Sequence, residues 1–523
     1  SELGMHYPVM HCRDCHATGW GGVKKSGTSE LQSDLDLFYQ AFFSHDPRVK
    51  FIFPIDENPK NLIGHIYYIN KSGMEMPDGD SDGCIKVYEN DNINSRGKSH
   101  SNCPFCNSKD SLTILGARAA SLTSVLIGQN FTSYYNDDKK LIAFSDSVQD
   151  SAQRAGFFGA RSYQFTIRAA MQQALVAYGG TVGLNEFSAV IHKYWENIFQ
   201  DDSQYVSTLI APDMEWLREY DNLVKNNELN SPEELKSLIN KRIDWMLHSE
   251  YGFKSHIGRT LERSAASTLY VDGLESVIEA ILPIMKNEIE LLRDVTKEEL
   301  EKFVLGFVLY LKDSGAIYSP HVEPFIKSGG DNVWAINEQY PRNKYMAKWN
   351  PKKGNPRFLT NGGFKSFDKV SNKGRTTWCD RWLMYNFIDK STLIPDTESV
   401  YKPIIDALMK QKIVLETDVQ DKSIWGLNPE RLFITTETKQ FKCDTCNHIV
   451  CVDTNHVNQA LGMKCMRKEC PGSYENYISE ESYYNLLYTN GDLQRVVARE
   501  HTGLLGRSAR EKVETDFIQR KSN

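Results

Sequence analysis

The chain has 523 residues, 40% of them hydrophobic and 25% charged, with a net charge of −7, so it reads as an ordinary globular protein with room for roughly three or four domains. Its start shows no charged segment leading into an apolar run, and its most apolar stretch, 112–128, carries Arg118 and is too short to span a bilayer. These features argue against secretion, membrane insertion and uniform coating of nucleic acid, and they make the cytoplasm the expected compartment. Eleven cysteines in such a chain point to metal binding or reactive thiols before disulfides.

Residues 1–111 open on Cys12 and Cys15 and close on Cys103 and Cys106, two C-x-x-C knuckles with 87 residues between them. Each knuckle places two sulfurs on one side of a turn, so the four thiolates can form one zinc site, although the separation far exceeds usual ribbon spacing. Between them lie an amphipathic helical stretch (Leu31, Leu35, Phe38, Phe42) and β-like runs at 50–55, 63–69 and 85–88. Cys84 stands alone as a core residue. Arg96-Gly97-Lys98-Ser99 is not a phosphate-cradling loop, because Asn92 occupies the position where such a loop needs glycine.

Residues 112–180 begin with a helix and linker over 112–135. The apolar run Leu141-Ile142-Ala143-Phe144 then meets Ser145-Asp146-Ser147, and a helical pattern over 149–180 carries small residues at Ala152, Ala155 and Gly156. This is the pattern of a buried parallel strand ending in a polar turn that opens a helix, the place where open α/β sheets bind ligands.

Residues 181–340 read as a succession of amphipathic helices. Ser231-Pro232-Glu233-Glu234 and Thr296-Lys297-Glu298-Glu299 are capping boxes, Gly315 sits where a helix-closing glycine belongs, and Pro283 predicts a kink or break. Within this block, the arginines of Tyr251–Arg263, Arg259 among them, are surface residues or phosphate contacts.

Residues 341–392 change composition abruptly. Over 341–382 eleven Lys or Arg, Lys352, Lys353 and Arg357 among them, face two Asp, interleaved with Tyr345, Trp349, Phe358, Phe364, Phe367, Trp378 and Trp382. Cations neutralise phosphates and aromatic faces stack on bases, so the segment is expected to bind single strands; the competing reading makes the aromatics anchors of an irregular segment. Residues 393–437 look like a winged helix, with a helix at 399–411 packed under a hairpin of 413–416 and 424–427, and a further strand at 431–434. In 438–475, Cys443, Cys446, Cys465 and Cys470 have spacing close to that of a zinc ribbon, a second structural zinc site; Cys451 could replace Cys446 or His448 could join, but loops of two and four residues need no extra ligand. Residues 476–523 run from a strand through His501-Thr502-Gly503 and Arg507 into a helix at 509–518.

The wording of 139–161 resembles motif IV of superfamily 2 helicases, at the start of their second RecA-like lobe. It is most similar to the very large DEAD/DEAH-type helicases of bacterial phage-defence systems, of the Druantia and DISARM kind. Tyr251–Arg263 resembles a signature in the insertions of those proteins, and the strand ending in His501-Thr502-Gly503 resembles the turn that follows motif IV. The resemblance implies a mixed α/β, multidomain fold: a partial RecA-like lobe interrupted by a helical insertion, a winged-helix-like module and zinc ribbons. It implies that Ser145, Asp146, Ser147 and Gln149, with His501, Thr502 and Gly503, touch the sugar-phosphate backbone, and Arg507 is a further expected nucleic-acid contact. No Walker-type Gly-x-x-x-x-Gly-Lys-Thr and no Asp-Glu-x-His occur. The expectation is therefore a fragment of an ATP- and Mg-dependent DNA helicase or translocase, itself without ATPase activity. Its expected partners are single-stranded DNA or duplex with a single-strand tail, and other defence subunits. The alternative is a non-enzymatic, zinc-stabilised module that binds nucleic acid or protein.

Overall fold

The computed structural model describes residues 6–518 except 14, 16, 56–63, 77–82, 91, 106–109, 116–122, 124–125, 128–129, 132–139, 143–147, 227, 254, 256–257, 331–344, 346–354, 388–395, 468–469, 479–482, 492, 494, 500 and 502–504. The fold is mixed α/β and falls into two compact units. One comprises 1–118, 442–449 and 465–475; the other comprises 119–441, 450–464 and 476–523.

The first unit is built on an antiparallel sheet of eight strands: β1 (Val9–Cys12), β2 (Thr18–Lys24), β3 (Leu31–Gln32), β4 (Val49–Pro54), β5 (Gly64–Ile69), β6 (Glu75–Met76), β7 (Ile85–Asn90) and β8 (Leu112–Leu115). They run in the order β6-β5-β7-β4-β2-β1-β8, with β3 added to β2. The expected runs at 50–55, 63–69 and 85–88 are strands, whereas Leu112–Leu115, expected as the start of a helix, pairs with β1 from Val9↔Leu115 to Cys12↔Leu112. Helix α1 (Leu35–Ser44), N-capped by the Asp34 side chain, lays Phe38 and Ala41 on the sheet. It can approach because of Gly21: a Cβ there would lie 2.4 Å from the Phe38 ring. Met10, Val23, Phe51, Phe53 and Tyr88 complete the apolar layer. Gly97 (φ +70°) turns a small loop closed by an Ile93–Ser99 bridge, which fits the rejection of a phosphate loop there.

The second unit opens on α2 (Val148–Ala177), followed by β9 (Thr181–Gly183), α3 (Leu184–Phe199), α4 (Asp202–Leu209), α5 (Arg218–Asn226) and α6 (Pro232–Tyr251). Helix α3 shows why this block folds: Leu184, Phe187, Ile191 and Trp195 form one buried stripe at helical spacing, and Trp195 Nε1 donates to the Ala170 carbonyl of α2 at 3.0 Å. Strand β10 (Thr268–Val271) interrupts the expected helices; α7 (Leu274–Glu288) and α8 (Lys297–Asp313) follow. Thr296 and Glu299 form the full capping box, but the Ser231 side chain makes no capping bond although Pro232 starts its helix as expected. Helix α7 continues through Pro283 without a break. Gly315 (φ +76°) follows the end of α8, as a closing glycine should.

Helix α8 is the axis of what comes next. After the short α9 (Glu323–Lys327) come β11 (Leu359–Thr360), β12 (Asp368–Lys369), α10 (Trp378–Phe387), α11 (Thr397–Lys410), β13 (Val414–Val419) and β14 (Lys422–Leu427). The sheet order is β12-β11-β14-β13, with β14 antiparallel to both β11 and β13. Gln420 and Asp421, both at positive φ, make the two-residue hairpin turn. The expected helix and hairpin are therefore present, but β15 (Leu432–Thr435) leaves them to pair with β9 and β10 in another sheet. Trp382 of α10 fills a notch in α8 left by Gly306, where a Cβ would lie 2.1 Å from the indole; its Nε1 donates to the Phe303 carbonyl at 3.0 Å. The remaining elements are β16 (Thr438–Cys443), β17 (Ile449–Asp453), α12 (Val457–Ala460), β18 (Tyr474–Tyr477), α13 (Tyr483–Asn490) and α14 (Arg507–Ile518). Among the described residues no helix is long and apolar enough to cross a membrane.

Candidate metal centres and nucleic-acid contacts

Both cysteine clusters belong to the first unit. Cys443 ends β16 and Cys446 follows in the turn, where Asn447 N donates to the Cys443 carbonyl and Cys443 N to the His448 carbonyl. Cys465 and Cys470 come from the loop before β18, pinned by Cys465 N donating to the Gly472 carbonyl at 2.8 Å. Gly472 has no room for a side chain, since a Cβ would lie 2.6 Å from Cys443 Sγ.

The four sulfurs lie within 4.8 Å of one another, all on buried residues, with Cys443–Cys470 at 3.6 Å and Cys446–Cys465 at 3.5 Å. Tetrahedral zinc with about 2.3 Å Zn–S bonds sets its sulfurs about 3.8 Å apart, whereas a disulfide needs about 2.05 Å. The donor set and spacing fit a structural metal ion of the zinc kind. Cys451 and His448 are not part of it. The Cys451 thiol, pushed up to about 12 by burial, sits in the second unit, where the Cys451 carbonyl accepts from Thr268 Oγ1, while His448 Nδ1 lies 2.7 Å from the Tyr474 hydroxyl.

The N-terminal cluster is assembled from far apart. Cys12 ends β1 and Cys15 lies in the turn after it; Cys103 arrives from the loop before β8, the strand that pairs back onto β1. Arg13 ties the same two segments, its backbone N donating to the Ser111 carbonyl and its guanidinium to the Asp110 carbonyl. The three sulfurs lie within 4.8 Å of one another, Cys15 and Cys103 at 3.6 Å. Cys106, the expected fourth ligand, lies outside the described residues. The long separation is no obstacle because the intervening chain is itself the sheet that returns Cys103 to Cys15.

The expected nucleic-acid residues are only partly visible. Ser145, Asp146, Ser147, Lys352, Lys353, Thr502 and Gly503 lie outside the described residues, and Gln149 stands in the first turn of α2. Of the expected buried strand at 141–144, Leu141 and Ile142 are described; neither is in a strand, and Ile142 is 62% exposed. Arg357 pairs with Asp368 at 3.6 Å, His501 with Glu514 at 2.7 Å and Arg507 with Glu511 at 2.8 Å. Exposed pairs of this kind contribute about 0–1 kcal/mol, so a phosphate can displace the carboxylates.

The aromatics of the basic segment correct the stacking expectation. Phe358, Phe367 and Trp382 are buried, and Trp378 stacks on Tyr310 at 3.8 Å. Phe364 packs on Phe367, and the Tyr345 hydroxyl lies 3.4 Å from His321 Nδ1. Among the described residues these rings anchor the segment to α6, α8 and their neighbours, while Lys365, Lys373 and Arg375 stay exposed.

Sequence reading missed a buried polar group around α6. Asp244 holds His321 at 2.8 Å, Arg242 bridges Asp213 to the Tyr345 carbonyl, and burial pushes His248 down to about 4. Histidine and carboxylate at a four-residue spacing on α6 was the available signal. Searched against family models, curated proteins and solved structures, the chain matches none.

Proposed function

We propose that this chain is the nucleic-acid-gripping part of an ATP-dependent superfamily 2 DNA helicase or translocase of the phage-defence kind, carrying two structural zinc ions. The observation that carries the reading is an order of elements. Helix α8, strand β11, helices α10 and α11, then the hairpin β13–β14, with β11 and β13 flanking β14 and the short α9 and β12 interposed, resemble the order expected of a winged helix. On this reading the module would start at α8, ahead of the expected 393–437. Many such modules bind duplex DNA, and about as many are purely architectural.

The exposed face of α11 carries Glu398, Lys402, Asp406 and Lys410, and the wing carries Glu416, Asp418, Asp421 and Lys422. With five acids against three lysines these residues are net negative, which leaves affinity for a polyanion to the cations of 341–382. The helicase part of the proposal is supported by the wording of 139–161 and 494–507.

A second reading, a non-enzymatic zinc-stabilised binding module, is favoured by one observation: among the described residues no sheet has four or more parallel strands, as a RecA-like lobe requires. Two assays on the purified chain separate these readings from error. Single-stranded DNA should bind in a salt-dependent manner, and DNA should stimulate no ATP hydrolysis. Hydrolysis abolished by a substitution in these 523 residues would overturn the fragment reading, and absence of DNA binding would leave the module a protein-binding one.

A further inference from the structure

Charge is unevenly divided around the sheet β12-β11-β14-β13. The outer face of α11 carries Glu398, Lys402, Asp406 and Lys410, which sum to zero. At the β12 edge the chain that leads into α10, residues 370–377, carries Lys373 and Arg375 and no acid. The two acids that flank this stretch are turned inward. Asp368 accepts from the Tyr310 hydroxyl and pairs with Arg357 at 3.6 Å. Asp380 is buried and accepts from Thr377 N at 2.7 Å and from Thr397 Oγ1. Glu398 of α11 is engaged at the base of the turn, where it accepts from Ser371 Oγ. Lys373 and Arg375 are exposed, and neither pairs with a carboxylate among the described residues.

The turn is also held in shape. Val370 N donates to the Thr360 carbonyl of β11 at 3.2 Å, and Thr377 Oγ1 donates to the Val370 carbonyl at 2.9 Å, which closes the loop at its base. Arg375 N donates to the Asn372 carbonyl at 3.3 Å around Gly374, whose φ is +85°. Lys369 Nζ reaches Asn372 Oδ1 at 3.5 Å, so a third cation stands beside the tip. Nothing lies within 4 Å of the place where a Cβ on Gly374 would sit. A phosphate can therefore approach the backbone between two cations whose positions along the chain are already fixed by folding.

We propose that the tip Lys373-Gly374-Arg375, with Lys369 beside it, is a sugar-phosphate contact for single-stranded DNA, and that the outer face of α11 is not. Lysine and arginine neutralise phosphates and release counterions without base preference, which fits a tip that offers cations and backbone but no aromatic ring. The inference rests on the nucleic-acid reading above and names where the strand touches the fold. The expected contact Arg259 is used otherwise: its guanidinium lies 4.1 Å over the Tyr484 ring of α13, and its carbonyl accepts from the Tyr488 hydroxyl at 2.7 Å.

The test is a fluorescence titration of the full 523-residue chain with a labelled DNA oligonucleotide of about 12 nucleotides, at several salt concentrations. The chains compared are the parent, the double variant Lys373→Gln/Arg375→Gln, the double variant Lys402→Gln/Lys410→Gln, and Gly374→Ala. Loss of the two tip cations should weaken binding about tenfold at about 0.15 M salt and make the log–log slope shallower by about 1.4, or 0.7 for each cation. The α11 variant should match the parent in affinity and slope. Gly374→Ala keeps both cations and clashes with nothing, but it strains a turn at positive φ, so it should bind more weakly with the slope unchanged. If the parent binds and the tip variant binds equally well with the same slope, this site is wrong and the nucleic-acid reading stands. Loss of slope in the α11 variant would likewise overturn the assignment, and parent-like binding by Gly374→Ala would remove the fixed turn from it. If the parent binds no DNA, this site and the nucleic-acid reading both fall.

Discussion

The two units hold themselves together by different means. The first spreads an antiparallel sheet over residues 9–115 and gathers cysteines from its two ends, plus a small ribbon of its own. The second has capped helices, a buried aromatic seam around α8 and no cysteine cluster among its described residues. A sheet whose end strands meet across a long chain separation carries a loop-closure cost that grows slowly with length, and a metal clip offsets it; helices with continuous apolar stripes make local contacts and need no clip. The contrast predicts that removing metal and removing packing strike different units.

Metal removal should have the largest effect. Elemental analysis should give two zinc ions per chain, and Cys443→Ser or strong chelation should unfold the ribbon, a loss on the order of 10 kcal/mol for a structural site. Hydrogen exchange should then show 442–449 and 465–475 opening while α8 stays protected; loss of protection in α8 as well would erase the contrast. Trp382→Ala comes next: emptying the notch at Gly306 should cost about 3–5 kcal/mol by urea denaturation followed at the second unit, with zinc content unchanged.

The His248 imidazole supplies a pH signature. Its folded-state value, about 4, lies below the ordinary 6.5, so the unfolded chain binds the extra proton. Stability of the second unit should therefore be full above pH 6.5, fall by about 3 kcal/mol as pH drops toward 4, and then level off for this group. Replacing His248 with Gln should flatten that window, and an unchanged profile would mean that another group titrates. The smallest effect is at the surface: Thr296→Ala removes one capping bond and should cost about 1 kcal/mol.

What the sequence made legible follows physical locality. Cys443-x2-Cys446 and Cys465-x4-Cys470 are short-range spacings and emerged as four gathered thiols, and Thr296–Glu299 is a local box and formed as read. The expected helix and hairpin at 393–437 were legible but the sheet they join was not, because β11 is separated from α8 by 45 residues that carry no periodic signal. The basic segment misled for a different reason. Composition reports that Phe358, Phe367 and Trp382 are aromatic but not which way they face, and a glycine at 306 decided the matter for Trp382. Likewise Leu141 and Ile142 have the composition of a buried strand, while burial depends on neighbours that composition does not name.

The claim that this chain grips nucleic acid through cations, with the described aromatics of 341–382 packed against the fold, meets its most direct test in a salt titration. Single-stranded DNA binding should be compared between the parent and a variant with Lys352, Lys353 and Arg357 all changed to Gln. The account predicts weaker binding and a log–log slope shallower by about 0.7 for each phosphate that is no longer neutralised. Binding that is unaffected by salt or by the triple substitution would contradict it.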